Sequence, residues 1–124
     1  MVNLCSLSEL SSVEYAGDVN LFIVRNQKSP IVGLQHFKQL APSEELYTFF
    51  YNNKGNENWW EVFSAAFKEE LKQHEKQVGL HIVQDFVRQG LRVNLVCYCG
   101  DFMHCHRSLV AEELEHIGLE VNLI

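Results

Sequence analysis

Apolar positions follow two rhythms along the chain, and the changes between them mark out its elements. Residues 19–25 (VNLFIVR) form a nearly continuous β-branched and aromatic run, the pattern of a strand covered on both faces, and the run ends on the charge of Arg25. Ser29-Pro30 reads as a turn. Ala41-Pro42-Ser43 reads as a loop ending at a helix cap, because Ser43 precedes Glu44 and Glu45 and then Leu46, Phe49 and Phe50 recur at helical spacing, predicting a helix over about 44–51. The polar stretch 52–58 contains Gly55 and breaks that helix. Trp60, Phe63, Phe67 and Leu71 then form one apolar stripe of an amphipathic helix. Val78, Ile82, Val83, Phe86 and Val87 repeat the period until Gly90 stops it. Residues 92–98 condense into a strand, Leu109, Val110, Leu114 and Ile117 supply a helix that Gly118 ends, and residues 119–124 supply a closing strand. Residues 1–17 are the least legible; Leu7 to Leu10 and Val13 suggest a short helix. No internal repeat, linker or charge block stands out.

The closing strand, helix and strand predict a right-handed parallel crossover, with the 19–25 strand in the same sheet. The expected architecture is a single small α/β domain over residues 1–124, with a mostly parallel sheet and flanking helices. Length and composition agree with a packed core that needs no staples: 124 residues, 47% hydrophobic, with 7 Gly and 2 Pro. A net charge of −6 leaves no extended basic footprint for nucleic acid, although it permits a local cationic pocket. The longest apolar run, Val19 to Val24 with Asn20 inside it, is too short to cross a bilayer, and no basic segment followed by an apolar stretch opens the chain. The expectation is a soluble, cytoplasmic protein without a membrane partner. Four cysteines, three of them within nine residues and no secretory signal, make reduced thiols the default.

Those three cysteines lie in Cys97-Tyr98-Cys99-Gly100-Asp101-Phe102-Met103-His104-Cys105-His106-Arg107-Ser108, between a buried strand and a helix. In parallel sheets ligands bind beyond the carboxyl ends of strands, so composition and location point to the same place. An oxyanion pocket is the first reading. Ser108 is suited to cap the following helix, whose amides and dipole favour an anion, and Arg107 offers a planar cationic fork. Cys105, between His104 and His106 and next to Arg107, has surroundings that favour thiolate and make it a candidate nucleophile. Cys97 reads as a small core residue. A zinc site is the competing reading, but its ligands would all be local, whereas zinc sites usually gather two separated pairs; no metal or other cofactor is expected. The spacing of cysteine and arginine also differs from that of a phosphatase loop.

Two stretches together resemble the YeaO-like DUF488 family. Leu40-Ala41-Pro42-Ser43, followed by Trp60-Glu61-Val62-Phe63 and Phe67-Lys68-Glu69-Glu70-Leu71, is similar to the middle of that family, and Leu95-Val96-Cys97 through Cys105-His106-Arg107 to Leu114 is similar to its ending. The family's first strand typically ends in Asp-Val-Arg; here Ile23-Val24-Arg25 stands there, so the arginine carries over and the acid does not. The frequent glutamate after the second strand is also missing, which leaves Asp101 as the nearby carboxylate. The resemblance implies an α/β fold and puts Arg25 in one pocket with the Cys105-His106-Arg107 element. It implies no settled reaction.

The expectation for function is therefore a pocket that binds or acts on a phosphate-bearing, nucleotide-like small molecule. Arg25, Arg107, Ser108, Cys99 and Asp101 would contact the ligand, Cys105 would be the nucleophile, and His104 or His106 the acid or base. A protein that only sequesters such a ligand, or a zinc-stapled interaction module, are the alternatives. The aromatics at 47–60 read mainly as core, with Tyr51 and Trp59 as candidate exposed rings. His36, His74, His81 and His116 read as scattered surface or half-buried histidines, and Glu69 and Glu70 as a solvated helix face.

Overall fold

A computed structural model describes residues 1–10, 18–27, 29–98 and 102–123. The elements run β1 (Val2–Ser6), α1 (Leu7–Leu10), β2 (Val19–Phe22), β3 (Gln35–His36), α2 (Glu44–Asn53), α3 (Trp59–Glu70), α4 (His74–Arg88), β4 (Val93–Cys97), α5 (His106–His116) and β5 (Val121–Leu123), with 3-10 turns at Lys38–Leu40 and Phe102–His104. The five strands form one sheet in the order β3-β2-β4-β1-β5, and every pairing is parallel. The α/β expectation holds.

β1 and the two-residue β3 are the strands the hydrophobic pattern did not reveal, and β1 lies between β4 and β5 rather than at the rim. At five residues β1 is too short to show a period, and it passes directly into a helix. Ser6 makes that junction. Its amide donates to Glu9 Oε1 at 2.7 Å and its hydroxyl oxygen accepts from the Glu9 amide at 3.4 Å, a reciprocal capping box that ends the strand and starts α1.

The strand pairing also exposes a short repeat that the linear sequence hides among 124 residues. Val-Asn-Leu opens β1, β2, β4 and β5, and the register sets Asn20, Asn94, Asn3 and Asn122 side by side across the sheet. Asn94, wholly buried in the central strand, donates from Nδ2 to Asn20 Oδ1 at 2.9 Å. A one-residue slip of any of these strands would put an asparagine against the apolar layer, so the motif specifies register as well as burying an amide.

The helices cover the sheet with a continuous core that includes Leu4, Phe22, Phe67, Leu80, Leu95 and Leu114. Ser43 caps α2 as expected, accepting from the Leu46 amide at 3.1 Å. Glu70 is not a solvated acid, however. Its carboxylate accepts from the Ser43 amide at 2.9 Å and from the Ser43 hydroxyl, tying the end of α3 to the start of α2. α4 packs on the 3-10 turn before α2 through Gly79, where an added Cβ would lie 2.9 Å from Gln39 Cβ and 3.1 Å from Leu40 Cδ2.

Two urea-denaturation comparisons check this packing. Gly79→Ala should destabilise by about 1–3 kcal/mol although alanine is the better helix former, because the contacted Gln39 Cβ cannot swing away; Gly55→Ala, in open space, should be near neutral. Asn94→Ala should cost roughly 1–3 kcal/mol by removing a wholly buried amide and its bond to Asn20, whereas Asn122→Ala on the edge strand should stay within about 0.5 kcal/mol.

Candidate functional site

In a parallel sheet all carboxyl ends point the same way, and here β2 and β4 are direct neighbours, with Leu21 opposite Leu95 and Phe22 opposite Val96. Beyond Phe22 the Ile23 amide still donates to the Val96 carbonyl at 2.9 Å, but the Ile23 carbonyl has left the ladder. His106 fills the gap: its Nε2–H donates to Ile23 O at 2.6 Å. Because a carbonyl can only accept, this bond places the proton on Nε2 and leaves Nδ1 as the lone-pair nitrogen of the neutral ring. The Phe67 ring packs edge-on against the imidazole, with centroids 5.6 Å apart, and holds its plane.

α5 begins a turn earlier than its apolar spacing predicts. The first turn is polar in composition yet turned inward, with His106 and Arg107 both buried. Cys105 is the N-cap residue, and Ser108 lies inside the first turn, its hydroxyl donating to the Cys105 carbonyl at 2.8 Å rather than capping the helix. The Cys105 sulfur makes no capping bond of its own.

Among the described residues, three groups meet that sulfur. Cys97 Sγ, at the end of β4, is 3.0 Å away; Arg107 Nε–H donates to it at 3.4 Å; and His106 Nδ1 lies 3.9 Å from it. The guanidinium and the positive end of α5 favour negative charge on sulfur, and Nδ1 is the atom able to take its proton. The sulfurs of Cys97 and Cys105 and a ring nitrogen of His106 all lie within 4.8 Å of one another, a set of three donors that could also meet a metal ion. Cys5, on β1, differs. Burial, and then the charge of Glu9, push its thiol up to about 11, against a smaller opposing pull from Arg107.

A cavity of about 310 Å³ opens over this cluster. Cys97, Cys105, His104 and His106 line it on one side, the rings of Tyr47, Phe50, Trp59, Phe63 and Tyr98 supply most of the rest, and Arg25 borders it. Arg25 is half-buried and also borders a second, open depression beside Ser43 and Glu70.

The expected site residues therefore separate. Cys105, His106, His104 and Arg25 border one cavity. Arg107 does not line it: only 1% exposed, it lies against the Cys105 sulfur because the first turn of α5 is buried. The prospect of two guanidiniums clamping one anion thus becomes one at the cavity and one beneath the thiol. His104 stays exposed on its 3-10 turn, near Trp59 and Trp60 with centroids 6.3 and 5.6 Å away. Cys99 and Asp101 lie outside the described residues. Cys97, read from sequence as core, is buried but touches the candidate nucleophile, and the ring-lined wall was underestimated; Tyr51 is exposed away from the cavity, whereas Trp59 is part of it. The clue to Cys97 was its position as the last residue of a strand entering the same loop.

So far the chain is a parallel α/β domain with a thiol and an imidazole paired where its central strands end. It belongs to the DUF488 family: it matches the family model described as the active DUF488-N3 subclade, DUF488-N3a, over residues 23–118, a span that contains all the site residues described above. No curated protein and no solved structure matched it. Among the described residues no helix is long and apolar enough to cross a membrane.

Alkylation with iodoacetamide at pH 8 distinguishes the thiols. Cys105 should label well ahead of Cys5, of which roughly one part in a thousand is thiolate at that pH, and His106→Gln should slow Cys105 by about tenfold or more. An acid whose pKa is raised stays protonated below it, so Cys5 labelling in the folded protein should climb about tenfold per pH unit towards pH 11. Equal rates at Cys105 and Cys5 would contradict the activation of Cys105.

Proposed function

We propose that this domain is a thiol-dependent enzyme acting on a phosphate-bearing, ring-containing small molecule of nucleotide type. The observation that carries the reading is the facing pair of Cys105 Sγ and His106 Nδ1 on a ring-lined cavity that Arg25 borders. Flat aromatic walls suit a nucleobase, since stacking on side-chain rings stabilises any base by about 1–3 kcal/mol. Arg25 supplies the cation for the phosphate.

Cys105 gives up its proton to His106 Nδ1, and its sulfur attacks the electrophilic atom of the bound molecule. The His106 ring, now cationic, returns the proton to the departing group, while its Nε2–H stays on the Ile23 carbonyl and keeps the ring in place. Arg107 holds the sulfur's negative charge from behind. His104, exposed at the cavity, is the second group able to exchange a proton with the ligand. Ser108 acts through the backbone of Cys105. Sequestration without chemistry is the reading that the buried position of Cys105 favours, and one set of variants separates the two.

Thermal unfolding is followed with nucleoside monophosphates, the parent nucleosides and inorganic phosphate. A bound monophosphate at a hundredfold excess over its Kd should stabilise by about 2.7 kcal/mol. Arg25→Ala should abolish the advantage of monophosphate over nucleoside, and Trp59→Ala should weaken both. Cys105→Ser should leave binding intact; loss of turnover in that variant supports the thiol-dependent enzyme, turnover that persists rules out Cys105 as the nucleophile, and binding without turnover in the wild type leaves only a binding domain. Stabilisation by none of these probes, or stabilisation indifferent to Arg25 and Trp59, would overturn the reading.

A further inference from the structure

The contact between Cys97 and Cys105 is the feature that the proposed reaction leaves unused. The two sulfurs are 3.0 Å apart, separated by eight positions in the chain and held by different elements, one at the end of β4 and the other at the N-cap of α5. Two outcomes are open to such a pair: sharing a thiophilic cation or bonding to each other. Two thiolates on a tetrahedral zinc, each at about 2.3 Å, sit about 3.8 Å apart, so a metal would have to drive these sulfurs outward. A disulfide, at about 2.05 Å, needs them to close by roughly 1 Å. Charge points the same way. Arg107 Nε is 3.4 Å from Cys105 Sγ, so a fixed positive group already occupies the surroundings a cation would need, and the same group favours the thiolate that starts an oxidation.

We propose that Cys97 is the resolving thiol of Cys105, and that a hydroperoxide entering the cavity converts the pair to a reversible Cys97–Cys105 disulfide. The Cys105 thiolate attacks the terminal oxygen of ROOH. The O–O bond breaks, RO⁻ leaves and takes a proton to become ROH, and Cys105 becomes a sulfenic acid. The Cys97 sulfur then attacks the Cys105 sulfur; the S–O bond breaks, and hydroxide leaves with the Cys97 proton as water. Two electrons pass from the two thiols to the peroxide, and His106 Nδ1 is positioned to carry the protons. A dithiol reductant reverses the change by exchange. While the bond stands, the nucleophile is masked and cannot proceed to the irreversible sulfinic acid. Both sulfurs line the same cavity, so the oxidant needs no other route.

The inference rests on the reading of Cys105 as an activated sulfur, and the experiment keeps the two apart. The intact chain is treated with a stoichiometric excess of hydrogen peroxide, weighed by mass spectrometry and digested with chymotrypsin. Cleavage after Tyr98 and Phe102 leaves Cys97, Cys99 and Cys105 on separate peptides. The expected result is loss of two hydrogens, a crosslink between the Cys97 and Cys105 peptides, and full reversal by dithiothreitol. Cys97→Ser, or Cys97→Ala should the serine disturb folding, should instead accumulate a sulfenic acid on Cys105 that dimedone traps and that proceeds to sulfinic acid. If Cys105 oxidises in the wild type but pairs with Cys99, or reaches sulfinic acid as fast as in the Cys97 variants, the role of Cys97 is wrong while an activated Cys105 stands. If Cys105 resists both peroxide and iodoacetamide, both readings fall.

Discussion

A strand that leaves its ladder exposes a carbonyl that must find another donor, and in this protein that requirement joins the fold to the site. The Ile23 and Val24 carbonyls, just past the end of β2, accept from His106 Nε2 at 2.6 Å and from His36 Nε2 at 2.7 Å. The first of these bonds fastens the start of α5 to the neighbouring strand and selects the tautomer in which Nδ1 faces sulfur. Together with the Phe67 ring packed on the imidazole, it fixes the orientation of His106 in the buried first turn of α5. A backbone carbonyl therefore determines which ring nitrogen is able to act as a base.

A buried guanidinium is felt at two of the thiols, with different weight at each. Arg107, at 1% exposure, lies against Cys105 and is also felt at Cys5, where it opposes burial and Glu9 without overcoming them. Two cysteines near one arginine thus have different surroundings: burial and Glu9 hold Cys5 as the protonated thiol, and Cys105 sits where a helix N-terminus and a guanidinium converge. Burying a charge is expensive unless it is compensated, and a negatively charged sulfur is the kind of group that compensates it. The same contact places Arg107 against the Cys105 sulfur instead of in the cavity where a ligand contact was expected.

Legibility varied with the range of the interactions involved. Helices α2, α3 and α4 were readable because Leu46, Phe63, Phe67 and Val83 fall on stripes whose period is a local property, although Val78, counted on the α4 stripe, is exposed and Leu80 is buried in its place. β4 was readable as a run of apolar residues, and Arg25 and Cys105 as residues at strand and helix ends. β1 was not, since five residues carry no period and their meaning lies in having β4 on one side and β5 on the other. Glu70 looked solvated for a similar reason. Its partner Ser43 is 27 positions away, and nothing in either local pattern announces the pair.

Composition and periodicity were enough to specify a parallel α/β domain, and the sequence clustering of Cys105, His106 and Arg107 after a buried strand was enough to mark the loop that borders the cavity, because both depend on neighbours within a few residues. Tertiary packing alone decided that Cys97 touches Cys105, that Arg107 lies against the Cys105 sulfur rather than lining the cavity, and that aromatic rings from α2 and α3 wall that cavity. Those facts depend on strands and helices far apart in the chain arriving at one edge of the sheet, a placement fixed by register and burial across the whole core rather than by any local run of residues.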